Sequence, residues 1–479
     1  MSCLRRICLV GFLLLTLPAW SVRPALAELQ IDGTFSEWSS AFEARADGEF
    51  LYLRFTLPES VTLQGAATPV RLLLDLDDNP QTRQVESGDG RELGVDLMVI
   101  FSPGAAPGAR GAGVRVVGQA GLLADQAPTA AGLGLIFAPI TESRTFELRL
   151  NRPEGLTPTE PDRLSLQINM GRSANAPAWQ SEILQIELPP RASESRLWRT
   201  LPSRGDRQLR VMSWNVFFAR PLANPDPFAR IFRALNPDMI LLQEWEKVDD
   251  RSLAAWFNTH VPQPTPWHAL TSSGWGVAVV SRTPLQGLGL GKVDRPEGAP
   301  ADDFRPDQSL RVVAALTQTA LGPAAVASIH LRCCGYAGSW QDQARIAEVN
   351  AIRAMLQTAF GAPDSLRFVG GDFNLVGSRT PLQILQRGLG AGGGDLRPAK
   401  APLAGDAAFH TWRDPRSRFT PGRLDWLLYD PARAHEVESF VLDTRGLTAE
   451  ALVGAGLQVG DSDASDHLAL VVDVALGQR

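Results

Sequence analysis

The stretch "RFVGGDFNLVG", residues 367–377, decides the fold of the second half of the chain. It begins as an apolar run typical of a buried strand, continues with two glycines, and then places Asp372 and Asn374 two positions apart. Glycine loses more backbone freedom on folding than any other residue, so two glycines inside a strand require a structural reason. Asp and Asn at one strand end have a local explanation, because both favour turns by bonding nearby backbone.

The same feature recurs at other strand ends in this half of the chain. The polar residues that follow or precede apolar runs are Asn215, Glu244, His330, Asp425, Asp466 and His467. Local turn preferences readily explain one such position, but they do not readily explain six in the same half of the chain. Carboxylate and amide oxygens suit a hard divalent cation such as Mg²⁺, and histidines suit proton transfer and phosphate contact. Helical periodicity between these strands, as in "WQDQARIAEVNAIRAMLQTAF", predicts an α/β domain.

These motifs occur in an order that resembles a known superfamily. "MSWNV", "PDMILLQE", "GVAVVSRTPL", "SIHL", "GGDFN", "RLDW" and "SDH" are similar to the endonuclease/exonuclease/phosphatase superfamily over about residues 208–476. Its members include deoxyribonuclease I, apurinic endonucleases, inositol polyphosphate phosphatases and secreted sphingomyelinases. The resemblance implies a four-layered α/β sandwich, two facing sheets flanked by helices, that hydrolyses phosphoesters at one edge.

The resemblance also implies a role for each strand-end residue. The expected metal ligands, for Mg²⁺ or alternatively Mn²⁺, are Glu244, Asn215 and Asp466. The expected catalytic residues are His467, Asp372, Asn374, His330 and Asp425.

Within the catalytic set, Asp372 would hold and polarise the attacking water, while Asn374 would donate to the phosphoryl oxygens. His467 would contact or deprotonate at the reacting phosphate, oriented by Asp425. His330 would bind a phosphate oxygen or protonate the leaving group. The two glycines before Asp372 would let the backbone pass closely beneath the phosphate.

One position departs from the resemblance. Some relatives carry an acid two residues after the first Asn as a further metal ligand, and here that position is Phe217. This departure leaves open whether the site binds one metal ion or two.

The loop "HTWRDPRSRFTPGRLDW" is the candidate substrate-binding segment. Arginines and aromatics together are typical of a groove for phosphates and bases, and a solvated surface loop is the alternative. The candidate substrate-binding residues are Arg413, Arg416, Arg418 and Trp412.

The first half, residues 28–190, consists of short alternating segments divided by Gly and Pro, which predicts an all-β sandwich smaller than the second domain. "IDGTFSEW" and "DLDDN" resemble family 9 carbohydrate-binding modules, which implies a carbohydrate or cell-surface ligand. Asp75, Asp77 and Asn79 either bind Ca²⁺ or form only a turn. Trp38 is expected in the core. A polar linker, residues 191–207, then precedes the catalytic domain at 208–479, and we expect the two domains to fold separately.

The first 27 residues predict a signal peptide. Arg5 and Arg6 precede an apolar run that ends well before Ala25-Leu26-Ala27, the small-x-small form of a cleavage site. No later stretch is apolar enough, over roughly 20 residues, to span a bilayer. We therefore expect an exported protein, periplasmic or secreted, with no transmembrane segment after cleavage.

Charge and cysteine content narrow the function further. Cleavage would lower the Lys and Arg count from 46 to 43 against 52 acids, a balance that argues against a general basic coat for nucleic acid. Two cysteines leave with the signal peptide, and the adjacent Cys333 and Cys334 form either a vicinal disulfide or two free thiols.

The sequence favours an exported Mg²⁺-dependent phosphodiesterase that acts on nucleic acid. A sphingomyelinase-like phospholipid or inositol-phosphate phosphoesterase is the alternative within the superfamily. The insertion at residues 290–309 is polar and acidic, whereas a lipid enzyme needs apolar hairpins at the membrane. A non-catalytic surface-binding protein is the alternative of another class.

Overall fold

The computed structural model describes residues 29–477 except 80, 82–83, 89–90, 105–108, 119–128, 153–161, 172–176, 192–195, 273–275, 290–309 and 361–363. The predicted signal peptide and the acidic insertion lie outside these residues, as does part of the predicted linker. Within the described ranges, none of the helices combines the length and the apolarity that crossing a membrane requires.

The first half is built from β-strands that pair antiparallel. The strands are β1 (Glu43–Ala46), β2 (Phe50–Val61), β3 (Val70–Asp75), β4 (Gln84–Gly88), β5 (Arg91–Val95), β6 (Leu97–Phe101), β7 (Val114–Gly118), β8 (Ile136–Ala138), β9 (Ser143–Asn151), β10 (Arg163–Met170), β11 (Trp179–Gln180) and β12 (Leu184–Glu187). One sheet has the order β1-β2-β9-β8 and another β11-β10-β3-β6-β7, with β12 also on β10. β4 and β5 form a separate hairpin.

These two sheets enclose one apolar core. Phe55 and Phe146 of the first sheet share that core with Leu72 and Val99 of the second. This arrangement confirms the prediction of an all-β first half. Trp38 is buried in a second cluster, as expected, and its indole Nε1 donates to Glu147 at 2.9 Å.

The second half alternates strands and helices. The strands are β13 (Leu209–Asn215), β14 (Met239–Gln243), β15 (His268–Thr271), β16 (Ala278–Ser281), β17 (Leu285–Gly287), β18 (Val312–Thr319), β19 (Gly322–His330), β20 (Leu366–Asp372), β21 (Arg397–Pro398), β22 (Asp425–Tyr429), β23 (Ala434–Leu442) and β24 (Ala469–Leu476). The helices are α1 (Arg220–Ala223), α2 (Pro225–Leu235), α3 (Asp250–His260), α4 (Trp340–Ala359), α5 (Thr380–Gln386) and α6 (Ala449–Ala455).

Two six-stranded sheets face each other in this half. Their orders are β15-β16-β14-β13-β24-β23 and β17-β18-β19-β20-β22-β21. Val211 and Leu241 of the first sheet meet Val326 and Phe368 of the second in a central core. On the outer face of the first sheet, α2 buries the apolar residues that its 3.6-residue period places on one side, and α3 packs beside it. Helices α4 and α5 cover the outer face of the second sheet. The four-layered α/β sandwich is therefore confirmed.

The two glycines of β20 are explained by packing. A Cβ at Gly370 would lie 2.8 Å from Leu241 of the facing sheet, and a Cβ at Gly371 would lie 1.9 Å from the carbonyl oxygen of Ile329 on β19. Gly371 also has φ +144°, a conformation that L side chains rarely adopt. Both glycines are therefore required by neighbouring strands, whereas the sequence had suggested an approach to phosphate.

The β-sandwich packs against loops of the second half. The Ala337 N–H donates to Thr62, and the Val114 N–H donates to the Arg418 carbonyl at 2.7 Å. The Glu142 N–H donates to the carbonyl of residue 377. These loops follow β19, follow β20 and precede β22. These contacts, which we call the seam, tie loops of the second half to strands and turns of the first half. Separate folding of the two halves stays a prediction.

Candidate active site

Strand pairing brings the predicted residues to one edge of the facing sheets. β13 and β14 are parallel with Asn215 opposite Gln243, so Glu244 follows beside Asn215. β19 and β20 are parallel with His330 opposite Asp372, and β22 runs antiparallel with Asp425 opposite Asp372. Because parallel strands end at the same edge of a sheet, residues far apart in the chain meet there.

Asn215 joins the two sheets at this edge. Its Nδ2 donates to Glu244 Oε1 at 3.0 Å and to Asp372 Oδ2 at 3.2 Å, and the side chain is fully buried. Its Oδ1 accepts the Phe217 N–H at 3.1 Å, while Glu244 Oε2 accepts the Phe218 N–H at 3.0 Å. Asn215 thus fixes two carboxylates relative to each other. A cation would bind Asn215 through Oδ1, the atom that accepts the Phe217 N–H in this structure. The role of Asn215 as a metal ligand stays a prediction.

Asp372 lies between two imidazoles. Its Oδ2 is 3.5 Å from His330 Nε2 and 3.7 Å from His467 Nε2. Its Oδ1 accepts the Asn374 N–H at 3.0 Å, and Asn374 Nδ2 donates to the Leu331 carbonyl at 3.2 Å. The structure therefore brings together all five residues predicted to be catalytic once Asp425 is added on the far side of His467.

His467 is held by Asp425. His467 Nδ1 is 2.8 Å from Asp425 Oδ2, and both side chains are buried. Asp425 is fixed in turn because its N–H donates to Thr411 Oγ1 at 2.8 Å. This pairing leaves His467 Nε2 on the side of Asp372.

The electrostatic surroundings give the two histidines different charge states. Burial lowers the pKa of His467, but the negative charges of Asp425 and Asp372 outweigh burial and raise the pKa to about 10. Burial and the positive charge of Arg311 lower the pKa of His330 well below its usual value. Burial raises the pKa of Asp372 to about 7. At neutral pH the site thus holds one charged imidazole and one neutral imidazole.

Asp466 is oriented by Trp412. The indole Nε1 of Trp412 donates to Asp466 Oδ2 at 2.9 Å, and the Arg413 N–H donates to the Asp466 carbonyl at 2.9 Å. Asp466 Oδ1 is buried and has no hydrogen-bond partner among the described residues. An oxygen left in this state fits a role as a cation ligand, because a bound cation would replace the hydration that burial removes. Glu244, Asp466 and Asn215 offer the carboxylate and amide oxygens that Mg²⁺ or Mn²⁺ prefers, and their joint role as metal ligands stays a prediction.

The predicted substrate-binding residues divide into two groups. Trp412 is committed to Asp466, and Arg413 is paired with Asp443 at 3.0 Å and Asp463 at 3.1 Å. Arg416 is 85 % exposed, with Asp414 at 3.2 Å, and Arg418 is also exposed. Substrate binding by these four residues stays a prediction, and among the four only Arg416 and Arg418 are exposed.

The structure adds residues that the sequence did not single out. Thr411 supports Asp425, and Ser465 Oγ donates to the Asn215 carbonyl at 2.8 Å and accepts the His467 N–H. Arg311 carries its charge close enough to affect Asp372 and His330. The short polar motifs containing Thr411 and Ser465 were a signal in the sequence, whereas Arg311 immediately precedes the ordinary apolar strand β18 and has none.

In the first half, an acidic cluster occurs near the predicted Ca²⁺ site. One carboxylate oxygen from each of Asp75, Asp77 and Asp96 lies within 4.8 Å of the others. The Asn79 N–H donates to Asp75 at 3.1 Å and to Asp77 at 3.2 Å, so its backbone takes part in the turn. Burial raises the pKa of Asp75 to about 7. Asp96 was missed because it lies 19 residues beyond Asp77 in the chain. Ca²⁺ binding stays a prediction.

The cysteine pair is a disulfide. Cys333 and Cys334 are bonded to each other in the exposed loop that follows His330. Of the two alternatives left open by the sequence, the structure contains the vicinal bridge.

Comparison with known families agrees with the fold of the second half. The model of the Endonuclease/Exonuclease/phosphatase family matches residues 212–467, which is more than half of the chain. The chain therefore belongs to this family of phosphoesterases. The match does not reach the first half, and the resemblance there to family 9 carbohydrate-binding modules is not confirmed. No curated protein matches the chain.

The chain is also similar in fold to several solved structures, three of which follow. TDP2 of D. rerio, complexed with a single-strand DNA product, is 14 % identical in sequence, with a TM-score of 0.37. The match covers 56 % of this chain and 99 % of that chain. The human Nocturnin catalytic domain with bound sulfate has 16 % identity, coverages of 57 % and 97 %, and a TM-score of 0.38. An AP endonuclease from Archaeoglobus fulgidus has 18 % identity, coverages of 55 % and 98 %, and a TM-score of 0.35.

Proposed function

We propose that the protein is an exported, Mg²⁺-dependent phosphodiesterase whose favoured substrate is nucleic acid. The observation that carries the proposal is the Asn215 bridge between Glu244 and Asp372, with imidazoles 3.5 and 3.7 Å from Asp372. This arrangement offers carboxylates for a cation, a carboxylate for a water molecule and fixed donors for phosphate oxygens, which is what phosphoester hydrolysis requires.

The chemistry divides among the residues as follows. Mg²⁺ held by Glu244, Asp466 and Asn215 would neutralise phosphate charge. Asp372 orients the attacking water and receives its proton. The water oxygen bonds to phosphorus while the bond from phosphorus to the leaving oxygen breaks. His330 passes a proton to the leaving oxygen and regains one from solvent, while Asp372 releases the water proton to solvent, so the protons balance.

The two histidines have different catalytic roles because their charges differ. His467, kept protonated by Asp425, donates to a phosphate oxygen as negative charge grows on it. The neutral His330 accepts a hydrogen bond or passes a proton without bringing a second positive charge to Asp372. His330 at this place fits either a nucleic acid or a phospholipid, so the choice between them depends on substrate assays.

The first test uses Glu244. Glu244→Gln should lower metal-dependent hydrolysis of bis(p-nitrophenyl) phosphate by at least about a hundredfold, since outer partners of a metal ligand alone contribute about 10–100-fold. EDTA should abolish hydrolysis by the wild-type protein. Glu450→Gln, on the exposed first turn of α6, removes a carboxylate away from the site and should have no effect. Wild-type protein that is inactive in Mg²⁺ would favour the non-catalytic surface-binding alternative, and an active Glu244→Gln variant would remove Glu244 from the ligand set.

A substrate panel then separates the candidate activities. Single-stranded DNA, RNA, sphingomyelin and inositol phosphates should be compared with the same mature protein. We expect the highest kcat/KM with nucleic acid. Preferential hydrolysis of sphingomyelin or inositol phosphates would move the proposal to the lipid or inositol-phosphate branch.

A further inference from the structure

Two adjacent phenylalanines lie at the rim of the site in an unusual backbone conformation. Phe217, Phe218 and the residue after them, Ala219, have φ of 53°, 53° and 54°. Non-glycine residues in this left-handed region are each strained by about 1–3 kcal/mol, and such strain is concentrated at functional sites. Three in succession therefore require support from their surroundings.

The support comes from the metal-ligand candidates themselves. The Phe217 N–H donates to Asn215 Oδ1, and the Phe218 N–H donates to Glu244 Oε2. The Ala219 N–H donates to the Glu244 carbonyl oxygen at 2.7 Å. Each of the three strained residues is thus tied to Asn215 or Glu244, and the loop has a fixed place beside these two metal-ligand candidates.

This conformation leaves an aromatic ring in solvent. Phe218 is 65 % exposed, although its backbone is bonded to the Glu244 carboxylate. The ring of Phe217 is 5.2 Å from that of Phe218, and the guanidinium of Arg220 lies 4.8 Å from the centre of the Phe217 ring. A ring exposed at a polar, charged site contributes nothing to the core, so its apolar face is available to a ligand.

We propose that Phe217 and Phe218 form a stacking platform for a nucleobase next to the scissile phosphate. This inference rests on the proposed phosphodiesterase function and identifies the part of the substrate that the site would recognise beyond the phosphate. Aromatic rings together with arginine are the combination on which single-stranded nucleic acids stack, and stacking tolerates every base. A membrane-binding surface would instead need a wider apolar patch, whereas Arg220 is exposed beside these rings.

The test compares two substrates with the same phosphates. One is a fluorescently labelled single-stranded DNA decamer, and the other is a decamer of tetrahydrofuran abasic units. The ratio of their kcat/KM values measures recognition of the bases. Phe218→Ala should lower this ratio about tenfold, which lies within the range of losses measured for single stacking residues. Phe218→Tyr keeps the ring and should keep the ratio, whereas Phe218→Leu keeps apolar area without a flat ring and should behave as Phe218→Ala.

Controls separate this inference from the proposed function. Val453→Ala removes an exposed apolar side chain from α6 and should leave the ratio unchanged. If the wild-type protein hydrolyses neither decamer nor bis(p-nitrophenyl) phosphate, the proposed function fails first. If bis(p-nitrophenyl) phosphate is hydrolysed but the ratio is the same in wild type and Phe218→Ala, the platform is overturned. Loss of sphingomyelin hydrolysis in Phe218→Ala, with an unchanged ratio, would also overturn it in favour of a lipid contact.

Discussion

The imidazole of His467 lies between two carboxylates that act on different nitrogens. Asp425 is 2.8 Å from Nδ1, whereas Asp372 is 3.7 Å from Nε2. A carboxylate on one ring nitrogen fixes the tautomer and favours the charged ring, and it leaves the other nitrogen to the substrate. The contribution of Asp425 to catalysis should therefore depend on the presence of His467.

A double-mutant comparison tests this dependence. His467→Ala should cause a severe loss of kcat/KM, and Asp425→Asn a milder loss of about 10–100-fold, because a partner that orients a functional histidine contributes about that much. The double variant should be little worse than His467→Ala alone, since residues that act as a unit are not additive. The measurement is kcat/KM on bis(p-nitrophenyl) phosphate at fixed Mg²⁺.

The comparison has one outcome that would contradict the pairing and one control variant. Fully additive losses would mean that Asp425 acts elsewhere, and the pairing would have to be given up as a catalytic unit. His435→Ala, which removes an exposed imidazole from β23, serves as the control and should be fully active.

At the residue scale, the sequence predicted the groups at strand ends better than the contacts between them. Asp372 and His467 were found because each follows or precedes an apolar run in a short motif. The hydrogen bond from Trp412 to Asp466 joins residues 54 positions apart, so no local spacing could predict it. The sequence predicts Trp412 as a substrate-binding residue, and the structure adds that its indole N–H donates to Asp466.

At the scale of elements, β20 shows why a strand of the site contains two glycines. Alternation places Phe368 in the core between the sheets, and the next inward position is Gly370, where only a hydrogen fits beside Leu241. Gly371 passes so close to β19 that no side chain can be accommodated. The sequence predicted the strand from its apolar run, but the reason for the glycines depends on neighbours that the run does not contain.

A matched pair of glycine substitutions tests this account. Gly371→Ala should destabilise the protein by about 2–6 kcal/mol, because strain at positive φ and overpacking each contribute about 1–3 kcal/mol. Gly454→Ala, in α6 with nothing within 4 Å of its Cβ position, should stabilise by about 0.5–1 kcal/mol. Urea unfolding of the full-length mature protein measures both. Equal, small effects at the two positions would show that β20 has room for a side chain.

At the scale of the whole molecule, the seam between the halves includes an ion pair between a buried arginine and a partly buried aspartate. Arg149 of β9 forms a bidentate pair with Asp406, with 2.8 Å between Arg149 Nη2 and Asp406 Oδ2. The same seam buries Ile31 against Ala408, and these two residues form an isolated parallel β-bridge. The polar composition of the linker predicted two halves, but contacts between residues 257 positions apart in the chain could not be read from composition.

The last prediction concerns the pH dependence of this seam. Burial alone would raise the pKa of Asp406, but the hydrogen bonds and charge of Arg149 outweigh burial and lower the pKa below its usual value. A carboxylate whose pKa is lowered on folding stabilises the protein above its unfolded pKa of about 3.9, and this stabilisation is lost as the pH falls further. The free energy of unfolding should therefore decline below about pH 4 in part because Asp406 becomes protonated.

Asp406→Asn should remove this contribution at every pH above 4. Because Arg149 would be left buried with its charge uncompensated, we expect a loss of about 3–5 kcal/mol at pH 7 and a weaker pH dependence of stability between pH 5 and 3. Asp414→Asn is the matched control, since its partner Arg416 is exposed and a surface pair contributes at most about 1 kcal/mol. Urea unfolding at pH 7, 5, 4 and 3 gives both quantities. If the two variants lose the same small amount and their pH dependence equals that of the wild type, the Arg149 pair does not hold the halves together, and apolar contacts such as that of Ile31 must do so instead.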